Sequence, residues 1–180
     1  MQVMKVNVYI NITGAFIVII ASILMAFALC QKEKNALSIL KTAANAYSEI
    51  SSDIRTGYTS LPDAFLNVYE KSYDRTIKEY FKLLHNCITD EKYTDINTIV
   101  ESCAERVFAE ILITKDRELL EELGKLPVHL DVVMQVNYLD DLVTRIRRRI
   151  SGYSETLTMK CRMYAAVCLC TGIMVVIILI

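Results

Sequence analysis

Charge is missing from both ends of this chain and concentrated in its middle. All 21 acidic residues and 19 of the 20 basic ones lie between Gln31 and Arg162, Lys5 being the exception. Residues 13–30 are 18 positions without a charge, rich in Ile, Ala, Phe, Leu and Met. Residues 6–12 extend that run with only Asn7 and Asn11 as polar interruptions. Residues 163–180 form a second charge-free run of 18, ending in Met174-Val175-Val176-Ile177-Ile178-Leu179-Ile180. As helices rising about 1.5 Å per residue, each covers roughly 27 Å, close to the hydrocarbon thickness of a bilayer. A helix of this length in a soluble protein normally carries a polar stripe, and neither run has one. The pattern argues against a simple soluble domain, a disordered tail and a basic nucleic-acid binder. It predicts two membrane spans around a charged middle, divided at 1–30, 31–162 and 163–180.

A secretory signal is the alternative for the first run, since Lys5 precedes it. The stretch is longer than most signals. Leu29 also occupies the position before Cys30 where lipoprotein cleavage calls for a small residue. Orientation follows from basic residues near the span ends. Lys32, Lys34 and Lys41 follow the first run, and Arg145, Arg147, Arg148, Arg149, Lys160 and Arg162 precede the second; Lys5 alone lies outside. The bias predicts a cytoplasmic middle. Cys30, Cys161, Cys168 and Cys170 lie in or beside the spans, while Cys87 and Cys103 sit singly on apolar helix faces. With no metal-knuckle spacing among them, all six are expected to be reduced packing residues.

The 132 residues of the middle are punctuated by Gly57, Pro62, Gly124 and Pro127, and the segments between carry helical periodicity. Leu37, Leu40, Ala44, Tyr47 and Ile54 stripe a first helix. Ser60 and Asp63 form a capping pair that opens a second, with Pro62 in its first turn. Tyr73, Ile77, Tyr80, Phe81, Leu84 and Ile88 stripe a third. Asp95 is placed to cap a fourth bearing Ile96, Ile99, Val100, Cys103, Val107 and Ile111. Residues 118–123 form a short fifth, stopped by Gly124. The fold expected is all-α, a bundle of about six helices whose last member continues into the second span.

That last segment is the most regular. Val132, Val136, Leu139, Val143, Ile146, Ile150, Tyr153 and Leu157 recur at alternating spacings of four and three, a coiled-coil-like seam. Its helix is expected over 128–180. Antiparallel packing on the first helix is one partner for the seam, and a second copy of the chain is the other.

Catalytic chemistry finds no foothold. His85 and His129 read as helix-end residues, five glycines cannot build a phosphate loop, and no His or Cys cluster suits a metal. Glu121-Glu122 and Asp140-Asp141 are adjacent pairs and face different sides of a helix. The expectation is a protein without catalytic residues, cofactor, metal or small-molecule substrate. Arg145, Arg147, Arg148 and Arg149 are the strongest local charge feature. Nucleic acid is a poor partner for them, because 19 basic residues in the middle face 21 acidic ones and no aromatics interleave the arginines. Solvent, an acidic partner surface or anionic lipid remain open.

The first turn reads Asp53-Ile54-Arg55-Thr56-Gly57-Tyr58-Thr59-Ser60-Leu61-Pro62-Asp63-Ala64-Phe65. It resembles the acidic-Ile-x-x-Gly-x-Thr-Pro-Leu-Pro-Glu-Ala-Leu segment of the stage III sporulation protein AB family, with Ser60 for the first proline and Phe65 for the last leucine. Leu123-Gly124 and Asp131 with Gln135 are similar to that family's Leu-Gly and Asp-x-x-x-Gln elements, and the layout of two terminal spans agrees. The resemblance implies a component of the channel-like complex joining mother cell and forespore. It implies a domain similar to the F-domain of type II secretion and type IV pilus platform proteins. It also implies a mother-cell membrane location around the forespore, and as partners a secretion-type ATPase and other membrane subunits.

On that footing Arg55, Gly57, Thr59, Leu61 and Pro62 are candidate docking residues at the tip of the domain, with the four arginines as a second candidate surface. A purely structural turn is the competing account, with Gly57 ending one helix and Ser60 capping the next. A sensor has a similar layout, but it would carry an output domain beyond its second span and an external sensing domain. A self-associating adaptor acting through the 132–157 seam stays open. The platform is the reading expected.

Overall fold

A computed structural model describes residues 2–57, 60–90, 95–127 and 131–179. Six α-helices follow one another: α1 (Gln2–Gly57), α2 (Leu61–Lys71), α3 (Arg75–Thr89), α4 (Ile96–Phe108), α5 (Thr114–Glu121) and α6 (Val132–Leu179), with a 3-10 turn over Glu122–Lys125 between the last two. No strand occurs among the described residues, so the fold is all-α. Packing divides the chain into two units. One joins Met1–Lys34 to Tyr153–Ile180, and the other is Asn35–Gly152.

The central unit is built on the stripes the periodicity predicts. Leu37, Leu40, Ala44, Tyr47 and Ile54 of α1 are buried, as are Ile77, Tyr80, Phe81 and Leu84 of α3. Phe81 lies at the centre of an aromatic cluster, its ring 6.2 Å from Tyr47, 5.7 Å from Phe65 and 5.2 Å from Tyr80. Tyr80 reaches on to Phe108, 4.9 Å away. One ring network thus draws on α1, α2, α3 and α4, at offsets that suit aromatic quadrupoles. From α6, Val136, Leu139, Val143 and Ile146 are buried, so the middle of the seam packs within the chain, whereas Val132 at its start is 43% exposed and Ile150 and Leu157 are half-buried. Tyr47 donates its hydroxyl to the Leu120 carbonyl at 2.9 Å, fastening α5 to α1.

Caps set the boundaries. The Ser60 hydroxyl accepts from the Asp63 amide at the start of α2, with Pro62 in the first turn. Asp74 accepts from the Thr76 and Ile77 amides at 2.9 and 3.0 Å, and Asp95 from that of Asn97 at 3.1 Å.

Several expectations need correction here. Tyr73 continues the period of α3, yet it lies before the Asp74 cap in the α2–α3 corner and is fully exposed. The fifth helix starts at Thr114 and gives way to the 3-10 turn, which runs through Gly124. Gly124 is there for closeness: a Cβ on it would come within 2.7 Å of the Asn97 Cα on α4. Helix α6 begins at Val132, because the Asp131 carboxylate accepts from the Met134 amide at 2.9 Å and caps it. The expected start at 128 and the role given to His129 lie outside the described residues. The fourth helix ends at Phe108, leaving Ile111 in the following turn.

The other unit is two antiparallel helical segments, with Ser22 facing Gly172 and Cys30 facing Cys161. Its outward side chains are apolar: Phe16 is 67% exposed, Phe27 67%, Met174 65% and Ile177 70%. Both helices contain segments long and apolar enough to cross a membrane. This unit takes in Glu33 and Lys160 as well, so packing and charge place its edge differently.

Candidate functional site

Arg55 is exposed near the end of α1, and its guanidinium pairs with Asp140 of α6 at 2.6 Å. Asp140 also accepts from the Ser51 hydroxyl at 2.7 Å. Gly57 is the last residue of α1, and Leu61 and Pro62 open α2. The Pro62 carbonyl lies 3.1 Å from His85 Nδ1, which ties the α2 entrance to α3 and gives His85 a packing contact. Thr59 lies outside the described residues.

The arginines of α6 divide. Arg145 pairs with Glu122 and, at 3.0 Å, with Asp141. Arg149 donates to Asp116 at 2.6 Å, and that carboxylate is only 1% exposed. These two arginines hold α5 and the 3-10 turn against α6. Arg147 and Arg148 are exposed. Among the four arginines of α6 the candidate docking surface accordingly narrows to Arg147 and Arg148, while Arg55 is exposed but paired and Gly57, Leu61 and Pro62 lie at the end of α1 and the start of α2. Beside the Arg145–Glu122 pair an acidic groove of about 300 Å³ is lined by Glu101, Glu118, Glu121 and Glu122 with Asn97 and Lys125. Partial burial raises the Glu121 pKa, with the Glu101 and Glu118 charges adding to it against the Arg117 ion pair. Among the described residues, no three His, Cys, Asp or Glu side chains are grouped to hold a metal ion.

Two features beside the charge-free segments were missed in the sequence. Cys30 and Cys161 form a disulfide, with Cα atoms 5.2 Å apart. This corrects the expectation of six reduced cysteines; Cys87, Cys103, Cys168 and Cys170 are free. The reason is geometric, since antiparallel segments bring the two inner boundaries of the charge-free runs to one level. Burial, chiefly, pushes the Cys103 thiol up to about 12, which keeps it protonated and inert.

One turn further, Glu33 accepts from the Tyr153 hydroxyl at 2.7 Å, Lys160 Nζ at 2.9 Å and the Tyr164 hydroxyl at 3.1 Å. Burial pulls the Glu33 pKa upward, but the hydrogen bonds from Lys160, Tyr153 and Tyr164 outweigh it and leave the carboxyl below its usual value. Lys160 also lies 4.7 Å from the centre of the Tyr153 ring. The available signal was Glu33, the first acidic residue after an apolar run, opposite the last basic residues before the other.

This arrangement defines an all-α protein with two long apolar segments, in which ion pairs fasten helices and apolar side chains face outward on the terminal segments. The family model for stage III sporulation protein AB matches residues 11–180, nearly the whole chain. The chain belongs to that family, which gives it a role in sporulation. Neither the curated proteins nor the solved structures yielded a significant match.

Proposed function

We propose that this chain is a non-enzymatic platform subunit of a secretion-like complex between mother cell and forespore. Its terminal segments lie in the mother-cell membrane around the forespore, and its central helical unit docks a secretion-type ATPase from the cytoplasm. The observation that carries this reading is the contrast between the two units. Segments around 16–30 and 163–177 turn large apolar side chains outward without a charge, whereas Asn35–Gly152 buries its apolar stripes and exposes charged ones. A soluble protein does not leave so large an apolar surface uncovered. Exposed Arg147 and Arg148, with Arg55, Gly57, Leu61 and Pro62, are the docking residues, and other membrane subunits of the complex are further partners. The arginine bias beside the second segment supports a cytoplasmic central unit.

One observation favours the opposite orientation. A Cys30–Cys161 disulfide is more at home on an oxidising side of the membrane than in a reducing cytoplasm. Orientation is tested with Tyr73→Cys, at a fully exposed corner, in a background where Cys168 and Cys170 are replaced by serine. In non-sporulating cells that express the protein in their outer cytoplasmic membrane, a membrane-impermeant maleimide is expected to label this variant only after permeabilisation. Labelling in intact cells would reverse the topology.

A further inference from the structure

The two-helix unit carries a groove of about 370 Å³, lined chiefly by Ile23, Phe27, Cys30, Cys161, Ala165 and Leu169. Its shape follows from its residues. The disulfide closes one end. At the other, α1 and α6 come so close that a Cβ on Gly172 would meet the Ser22 Oγ at 2.6 Å. Small Ala26 and Ala165 leave the hollow between, and Ile23, Phe27 and Leu169 stand beside it, about half or more exposed.

The helical repeat then places two cations along its open side, at the disulfide end. At 100° per residue, Lys34 falls within about 40° of Ile23, Phe27 and Cys30 on the face of α1. Arg162 likewise falls about 20° from Leu169 on α6. Lys34 is two turns beyond Phe27, about 10 Å along the axis, and Arg162 one turn beyond Ala165. Both are exposed, and neither has an ion-pair partner among the described residues. Lys160 differs, being neutralised by Glu33, and Lys32 points away to the far side of α1.

We propose that this groove is a binding site for one anionic phospholipid, its acyl chain in the hollow and its phosphate between Lys34 and Arg162. The proposal rests on the membrane placement given above. Hydrocarbon is as apolar as leucine, so the hollow positions a lipid without selecting among headgroups. Selection falls to the two cations, which act on the anionic charge.

The test uses the full-length protein in mild detergent, with retained lipid counted by native mass spectrometry against equal phosphatidylglycerol and phosphatidylcholine. Wild type is expected to retain phosphatidylglycerol about tenfold over phosphatidylcholine, falling to about twofold in Lys34→Gln/Arg162→Gln. Ala165→Phe, which fills the hollow at an exposed position, is expected to lose both lipids. Arg147→Gln/Arg148→Gln is expected to keep the preference. Equal retention by wild type, or a preference that survives in the Lys34/Arg162 variant, would overturn the site while leaving the membrane reading standing. Protein that stays soluble and monodisperse without detergent would overturn both.

Discussion

Gly124 and Gly152 make a matched pair at the scale of single residues. A Cβ at Gly124 collides with α4 backbone, whereas one at Gly152 meets nothing within 4 Å. Gly124→Ala is therefore expected to cost about 1–3 kcal/mol through forced backbone shifts. Gly152→Ala, inside α6, is expected to stabilise by about 0.5–1 kcal/mol through lost chain entropy. Thermal denaturation of the two variants in detergent checks both signs.

Asp116 and Arg149 give a second residue-scale outcome. Arg149→Met strands a buried carboxylate, and because the arginine is 40% exposed the cost should fall below that of a fully buried pair, at about 2 kcal/mol. Adding Asp116→Leu is expected to recover most of it; a double variant as unstable as the single would show that the stranded charge is not the cause. Asp116 was not legible in advance, since its partner lies 33 residues away and nothing local marks it for burial.

At the scale of elements, periodicity and capping carried most of the fold. The stripes at Leu37 to Ile54, Ile77 to Leu84 and Val136 to Ile146 are buried because burial selects one helix face. Boundaries were less legible. Tyr73 keeps the period of α3 but loses to the Asp74 cap, and a helix expected from 128 begins after the Asp131 cap. Gly124 looked like a stop, although its role is a tertiary approach invisible to local rules.

The disulfide was missed because spacing along the chain says nothing of a pair 131 residues apart. Closing so long a loop contributes up to about 5 kcal/mol by chain entropy. Reductant is expected to lower the melting midpoint of the wild type and to leave Cys30→Ser unmoved. Equal response of the two proteins would show that the bond does not support the unit. Glu33, whose pKa is lowered in the folded state, contributes stability that is present above the unfolded carboxylate pKa and lost as pH falls through the folded one. Acid titration of the midpoint should accordingly flatten in Glu33→Gln.

For the whole molecule, the segregation of charge already visible in the sequence sets what the protein can be. Apolar terminal segments suit a bilayer, and a ring-centred bundle offers surfaces held by ion pairs, with Arg147 and Arg148 left exposed. The proposed docking surface was legible only in part. Of four arginines close together in sequence, two are committed to Glu122 and Asp116, a division that depends on where α5 packs.

The platform reading stands or falls on this surface engaging a secretion-type ATPase. Full-length protein solubilised from sporulating cells serves as bait, beside a bait lacking residues 31–162 and an Arg147→Glu/Arg148→Glu variant, with partners identified by mass spectrometry. The wild type is expected to bring down a P-loop secretion-type ATPase, the deletion none, and the charge reversal at least tenfold less. Recovery of other partners with no ATPase, even after cross-linking, would refute the platform role.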